Sequence, residues 1–326
     1  MSLVRKISVF YFCLLLVTAG AFYWSLSAGA VPVSLFDLVQ GNVSSMEQRV
    51  IEQLRLPRAI AAFSVGALLA IAGTLMQVLL RNPLAEPYVL GISGGSAVGA
   101  LSAILLGSSG LLISMGAFGG ALVSMLLVFA LSARGSDWSS NRLLLTGVVL
   151  ASGWSAIISM LLLSGSEQSM KGMLFWLMGD LSNVKSPAWS IPVVLLALAA
   201  GLLMAPSLDL LARGDAQAAA LGVETGRLRI VCYIAASMVT GCAVTLGGTI
   251  GFVGLIVPHT IRLFVGASHR ALIPASCLAG GAFLLIADTL SRTIVAPTQL
   301  PVGVVTAVIG VPIFLYLLNL RAHMVR

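Results

Sequence analysis

Asp288 and Arg292 stand four positions apart inside a long apolar stretch, the spacing that puts a carboxylate and a guanidinium on one helix face. Such a pair has two readings: a self-neutralising anchor, or a proton relay of the kind that secondary transporters hold at membrane depth. Arg55 and Arg58 flank Leu56-Pro57 ahead of another apolar stretch, and guanidinium groups there can pair with carboxylates in bidentate fashion. The segment Arg81-Asn82-Pro83-Leu84-Ala85-Glu86-Pro87 sets polar and helix-breaking residues between two stretches long enough to cross a bilayer. Pro83 and Pro87 fix their own φ and push Asn82 and Glu86 out of helical geometry, so a shaped aqueous turn is expected, touched by something outside the bilayer.

Several chemistries are missing. The chain has three lysines, Lys6, Lys171 and Lys185, and none belongs to a phosphate-binding G-x-x-x-x-G-K-[ST] loop, so ATP is not bound by that route. No H-E-x-x-H zinc site or paired carboxylates occur within the spans, which argues against an intramembrane enzyme. Cys13, Cys232, Cys242 and Cys277 lie in apolar runs without C-x-x-C spacing, so neither a metal site nor a disulfide framework is indicated, and they read as small buried hydrophobes. The net charge of +7 comes from basic residues scattered singly, without the basic stripe that nucleic acid requires.

The elements that position these residues follow from composition. With 59% hydrophobic and 9% charged residues and a mean hydropathy of +1.05, lipid must be the solvent for most of the chain. The first apolar run, from Ile7 to about Ala28, is long enough to be a retained helix although it follows Arg5 and Lys6 like a secretion signal. Gly, Pro and charge then mark helices near 57–80, 91–107, 113–133, 143–165, 189–205, 230–247, 257–267, 271–292 and 303–320. The expected fold is all-α and polytopic, about ten transmembrane helices in one domain over 1–326. With the N-terminus inside, the inner face receives twelve of the eighteen Lys and Arg, including Arg81, Arg134, Arg213, Arg321 and Arg326, and the outer face six, including Arg55, Arg58, Lys185 and Arg292. That asymmetry places both termini in the cytoplasm.

Between the sixth and seventh spans, Ser207 to Arg229 is rich in Ala and Leu with Gly at 214 and 222. Strong helix formers behind the acidic Asp215 predict one or two short helices parallel to the membrane. They suit a partner's groove, and spacing alone equally allows an ordinary connector.

Four blocks carry a resemblance. Gly66 to Gly73 with Gln77, Arg81 to Pro87 and Leu90-Gly91; Gly214-Asp215 with Leu221-Gly222; Gly248-Thr249-Ile250-Gly251-Phe252-Val253-Gly254 through Pro258-His259 with Arg262; and Leu300-Pro301-Val302-Gly303 through Thr306 with Gly310-Val311-Pro312 resemble, in order and spacing, the FecCD/BtuC permeases of type II ABC importers. The resemblance implies a bacterial inner-membrane importer for bulky metal chelates: ferric siderophores, haem or cobalamin. It implies a permease pair (a second copy or a close paralogue), two cytoplasmic ATPases that hold the ATP and its Mg²⁺, and an external substrate-binding protein. The permease itself would be no enzyme and would bind no cofactor.

Residue by residue, the resemblance assigns ATPase coupling to Arg213, Gly214, Asp215, Ala216, Ala219, Leu221 and Gly222. Docking of the binding protein falls on Arg55, Arg58 and Arg292, for which headgroup anchoring is the plainer alternative. The cytoplasmic gate falls on Asn82, Leu84, Ser140 and Asn141. A wide, inert pathway for a chelate suits the small residues Gly147, Ser152, Ser155 and Thr306, which equally suit close helix packing. Gln299 departs from the family, which often has Glu there, and this puts the pairing around Arg292 in doubt. His259 belongs to the shared block and reads as structural. Met170 to Asp180 predicts a short amphipathic helix at the outer mouth, either meeting an aromatic cargo or lying at the interface. The competing reading from another class is a proton-coupled secondary transporter with Asp288 as relay.

Overall fold

Small residues bring the backbones of this protein into contact, and the helix order follows from that. The computed structural model describes residues 3–29, 40, 44–132, 140–184 and 186–324; Arg134, Lys185 and Arg326 of the charge pattern lie outside them. Twelve α-helices occur among the described residues: α1 Leu3–Ser27, α2 Ser45–Leu79, α3 Ile92–Leu105, α4 Gly110–Ser132, α5 Ser140–Ser164, α6 Glu167–Leu177, α7 Ser190–Ala212, α8 Asp215–Ala220, α9 Thr225–Gly247, α10 Val253–Val265, α11 His269–Thr293 and α12 Val302–Met324. Seven are long and apolar enough to span a membrane, and α3, α10 and the Val302–Leu317 part of α12 are shorter apolar stretches, in line with the ten helices expected.

Helix α2 is the axis of the bundle. Its most apolar window is 89% buried, because Ala59, Ala61, Ala62, Ser64, Gly66, Ala67, Ala70, Ala72 and Gly73 leave it apolar and slender on every side. A Cβ on Gly66 would strike the backbone of Gly280 in α11, and one on Gly73 would strike Gly254 in α10. Helices α3 and α4 meet in the same way, Gly95 against Gly120 and Gly99 against Gly116. Buried polar groups bridge helices: Tyr233 donates to the Met125 carbonyl at 2.7 Å, Tyr11 to Ala271 at 2.6 Å and Ser190 to Ser64 at 2.8 Å.

Several boundaries differ from the sequence reading: α2 was expected from about 57 but begins at Ser45, α10 was expected from 257 but begins at Val253, and α7 and α9 differ as well. Helix α7 was expected to stop at 205, yet it runs through Pro206 to Ala212. Its buried stripe of Val194, Ala197, Gly201, Ala205, Leu208 and Leu211 keeps helical register past the proline, which is exposed on the other side. Packing therefore outweighs one lost hydrogen bond. Helix α9 likewise starts at Thr225 and not near 230, so the connector is only the short stretch around α8. Cys232 and Cys277 are buried as expected, but Cys13 is exposed on the outer surface of α1.

The turn after α2 is the larger correction. It does not stay at the helix end as an aqueous loop. Pro87 comes level with Leu69 and Gly254, partway back along α2, and the Glu86 carboxylate accepts the Phe252 N–H at 2.8 Å while the Tyr88 hydroxyl accepts that of Ile250 at 3.0 Å. Residues 248–252 are the unwound stretch between α9 and α10, and Phe252 holds a left-handed φ of 71°. Glu86 thus supplies the hydrogen bond that the broken chain cannot make for itself at the start of α10.

Candidate functional site

At one end of the bundle, the short helix α8 is framed by two glycines. Gly214 (φ 123°) and Gly222 (φ 83°) hold backbone angles that disfavour a Cβ. The Gly222 N–H donates to Ala219 at 3.0 Å and the Val223 N–H to Ala218 at 3.0 Å, the paired closure of a Schellman motif. Ala218 faces inward, fully buried, while Ala216, Ala219 and Leu221 are exposed, Leu221 at 63%. Arg213 closes α7 and is exposed. An apolar tip presented on a rigid frame is a docking shape.

Asp215, the first residue of α8, joins that tip to the interior. Its carboxylate is ion-paired with Arg81, in the turn after α2, and with Arg229 of α9 at 2.9 Å. Arg81 stood out in sequence as part of the polar turn after α2, whereas Arg229 looked like an ordinary positive-inside charge, and neither was tied to Asp215. Only the fold brings them to Asp215.

The residues expected at the gate surround this link. Asn82 accepts the Leu84 N–H at 2.9 Å in a side-chain-closed turn. Leu84 packs with Phe252, Leu255, Ile256, Phe314 and Leu317, a small apolar cluster shared by the turn, α10 and α12. The Ser140 hydroxyl donates to the Leu79 carbonyl at 2.9 Å, tying the start of α5 to the end of α2. Asn141 is exposed beside it. Gln77 donates to the Leu255 carbonyl at 3.2 Å, a further α2–α10 contact.

The residues expected along the pathway separate into two pairs. Ser152 and Ser155 sit on the exposed face of α5, hydrogen-bonded back to their own helix. Gly147 is buried against Val89 and Leu90, and Thr306 is buried with its hydroxyl on the Gly303 carbonyl at 3.0 Å. Those two lie in packing contacts and not on an open face. Helix α5 has only 11% of its most apolar window buried, so its broad face is left for lipid or for another chain.

At the opposite end, the three expected docking arginines line a cavity of about 250 Å³, with Asp288 buried behind Arg58 and Arg292. Arg58 Nε contacts both Asp288 oxygens at 2.9 and 3.1 Å, and its Nη1 donates to Gln299 Oε1 at 2.7 Å. Arg292 Nε lies 3.4 Å from Asp288, so the i,i+4 pair exists, but Arg58 is the nearer partner. Arg292 also donates to the carbonyls of Ser25 at 2.5 Å and Ala28 at 2.9 Å, and Arg55 to those of Leu26 at 2.7 Å and Ser27 at 2.9 Å. Two guanidinium groups therefore cap the C-terminal carbonyls of α1, where cations suit the helix dipole. Asp288 is fully buried between two guanidiniums, the arrangement of an internal neutraliser. Among the described residues no cluster of His, Cys, Asp and Glu could hold a metal ion.

The comparisons with known proteins agree with this architecture. Residues 14–319 match the FecCD transport family. The chain is 39% identical to the cobalamin import system permease protein BtuC of Halobacterium salinarum, covering 94% of this chain and 82% of that protein. It is 38% identical to the hemin transport system permease protein HmuU of Yersinia pestis, covering 90% of both. A solved structure described as an inward-facing conformation, from a metal-chelate type of ABC transporter, superposes with a TM-score of 0.86 at 32% identity and covers 94% of this chain and 98% of its own. With four motif blocks, ten apolar helices and this likeness along nearly its whole length, the chain belongs to the FecCD transport family.

Proposed function

We propose that this chain is the membrane-spanning, non-enzymatic permease subunit of a binding-protein-dependent ABC importer in a bacterial plasma membrane, with both termini in the cytoplasm. The observation that carries the reading is the link from the exposed tip of α8 through Asp215 to Arg81 in the gate turn. An ATPase gripping that tip would pull directly on the turn that packs under α10 and α12. ATP-driven closure of an ATPase pair would then bias two copies of the permease between outward and inward access.

The cargo we assign is a metal chelate, with a ferric complex first and haem or cobalamin next. Relatives named for cobalamin and hemin support this class, and so does the uncharged exposed face of α5. The binding protein would dock at the arginine end, where Arg58 and Arg292 share one carboxylate, Arg55 lines the same small cavity, and the surplus positive charge suits an acidic partner. A proton-coupled mechanism through Asp288 receives no support, because that carboxylate is saturated by Arg58 and Arg292.

The test is uptake into vesicles that hold the permease with a cognate ATPase and an external binding protein, using ferric siderophore, haem and cobalamin in turn. Accumulation that needs ATP and all three components is expected. Vesicles containing this chain alone that concentrated any of these solutes would overturn the reading.

A further inference from the structure

A second cavity, of about 1490 Å³, lies under α6 at the arginine end of the bundle and away from α5 and α12. Its roof is one face of α6, where Gln168, Lys171, Gly172, Phe175 and Trp176 recur at helical spacing. The opposite face of that helix is anchored by fully buried Met173. Its floor includes Leu111, Met115 and Phe118 of α4. Leu111 is 75% and Met115 61% exposed, so the cavity opens sideways onto the apolar surface that meets the bilayer.

Among the described residues, the rim carries one cation and one anion that do not pair with each other. Lys171 makes no ion pair among the described residues, and Asp180 is held by its own turn, accepting the Ser182 N–H at 2.8 Å and hydroxyl at 2.6 Å and the Asn183 amide at 3.4 Å. Carboxylate oxygens so engaged keep lone pairs for a further donor. A separated ammonium and carboxylate above an apolar slot match a zwitterionic amphiphile, and Trp176 at the rim is the residue type that favours the headgroup level.

We propose that this cavity is a binding site for one phospholipid with an ethanolamine headgroup, its phosphate on Lys171, its primary ammonium on Asp180 and an acyl chain along Met115 and Phe118. The site needs only the membrane-spanning architecture and is independent of the importer reading. A choline headgroup has no N–H for Asp180, and a glycerol headgroup has no cation, so both should bind more weakly.

Native mass spectrometry of the detergent-purified protein, titrated with phosphatidylethanolamine, phosphatidylcholine or phosphatidylglycerol, tests this. One phosphatidylethanolamine retained per chain, about tenfold over the other two, is expected. Lys171→Ala and Asp180→Asn should each lower that retention about tenfold. Gly119→Leu and Gly172→Leu should also lower it, because both glycines line the cavity, a Cβ at either meets nothing within 4 Å, and the added side chain intrudes on the slot without striking backbone. Melting curves verify that each variant is folded, and two independent filling variants cover the failure of one. Equal retention of all three lipids, or retention unchanged in the folded variants, would mark ordinary boundary lipid and overturn the proposal. So would displacement by inorganic phosphate, or by a ferric siderophore at micromolar concentration.

Discussion

Arg81, in the turn after α2, is ion-paired with Asp215 at the start of α8, so the exposed tip of α8 and the expected gate share a bond. Both side chains are partly exposed, 37% and 43%, so the pair adds no more than about 1 kcal/mol to stability. Under the proposed function its role would be to transmit displacement. Arg81→Ala should leave the melting temperature within a few degrees of the parent, while uptake per ATP hydrolysed in the reconstituted importer falls several-fold. Equal coupling in parent and variant would show that α8 moves the gate by another route.

Removing Asp288 should be costly. Asp288→Ala leaves Arg58 and Arg292 facing each other with no counter-charge in a buried site, a loss of about 3–5 kcal/mol for a broken buried pair. Low yield and early melting in detergent are the expected readouts. A relay would behave otherwise: the variant would fold like the parent and lose only the pH dependence of uptake.

The arginine end allows a gentle test of docking at Gln299. Gln299→Glu sets a second carboxylate against Arg58, whose Nη1 already donates to that side chain at 2.7 Å, and so lowers the positive charge of the small cavity. Binding-protein association should weaken several-fold at low salt and less at high salt, with melting unchanged. Reversal at Arg55 or Arg292 is a harsher probe because it also uncaps α1. Unchanged affinity in the folded Gln299→Glu variant would remove the docking assignment.

Glycines should divide sharply by location. Gly66→Val drives a side chain into the Gly280 backbone and should cost at least about 1–3 kcal/mol, read as a lower melting temperature and poorer yield. Gly153 in α5 meets nothing within 4 Å, so Gly153→Leu should fold. If the open face of α5 forms a permease contact or pathway, that variant will nonetheless lose pairing or uptake. Full function in Gly153→Leu would assign that part of α5 to lipid.

Much of the architecture was legible in the amino-acid order, because bilayer thickness demands long apolar runs and turn chemistry punctuates them. Ten apolar helices, the Gly214 and Gly222 brackets and the Asp288–Arg292 pair were all readable along the chain, since each depends on composition or on neighbours within a turn or two. Helix ends were less so: the α7 stripe through Pro206 is visible only once one knows which face is buried.

What tertiary structure alone decided is which distant groups share a site. Arg81 and Arg229 meet Asp215, Arg58 outranks Arg292 at Asp288, the carbonyls of α1 occupy Arg55 and Arg292, and the turn at Glu86 climbs back to support Phe252. No local preference encodes these pairings. They arise because slender glycine and alanine faces let helices approach to backbone contact, and the buried polar groups then bond whatever that packing brings within reach.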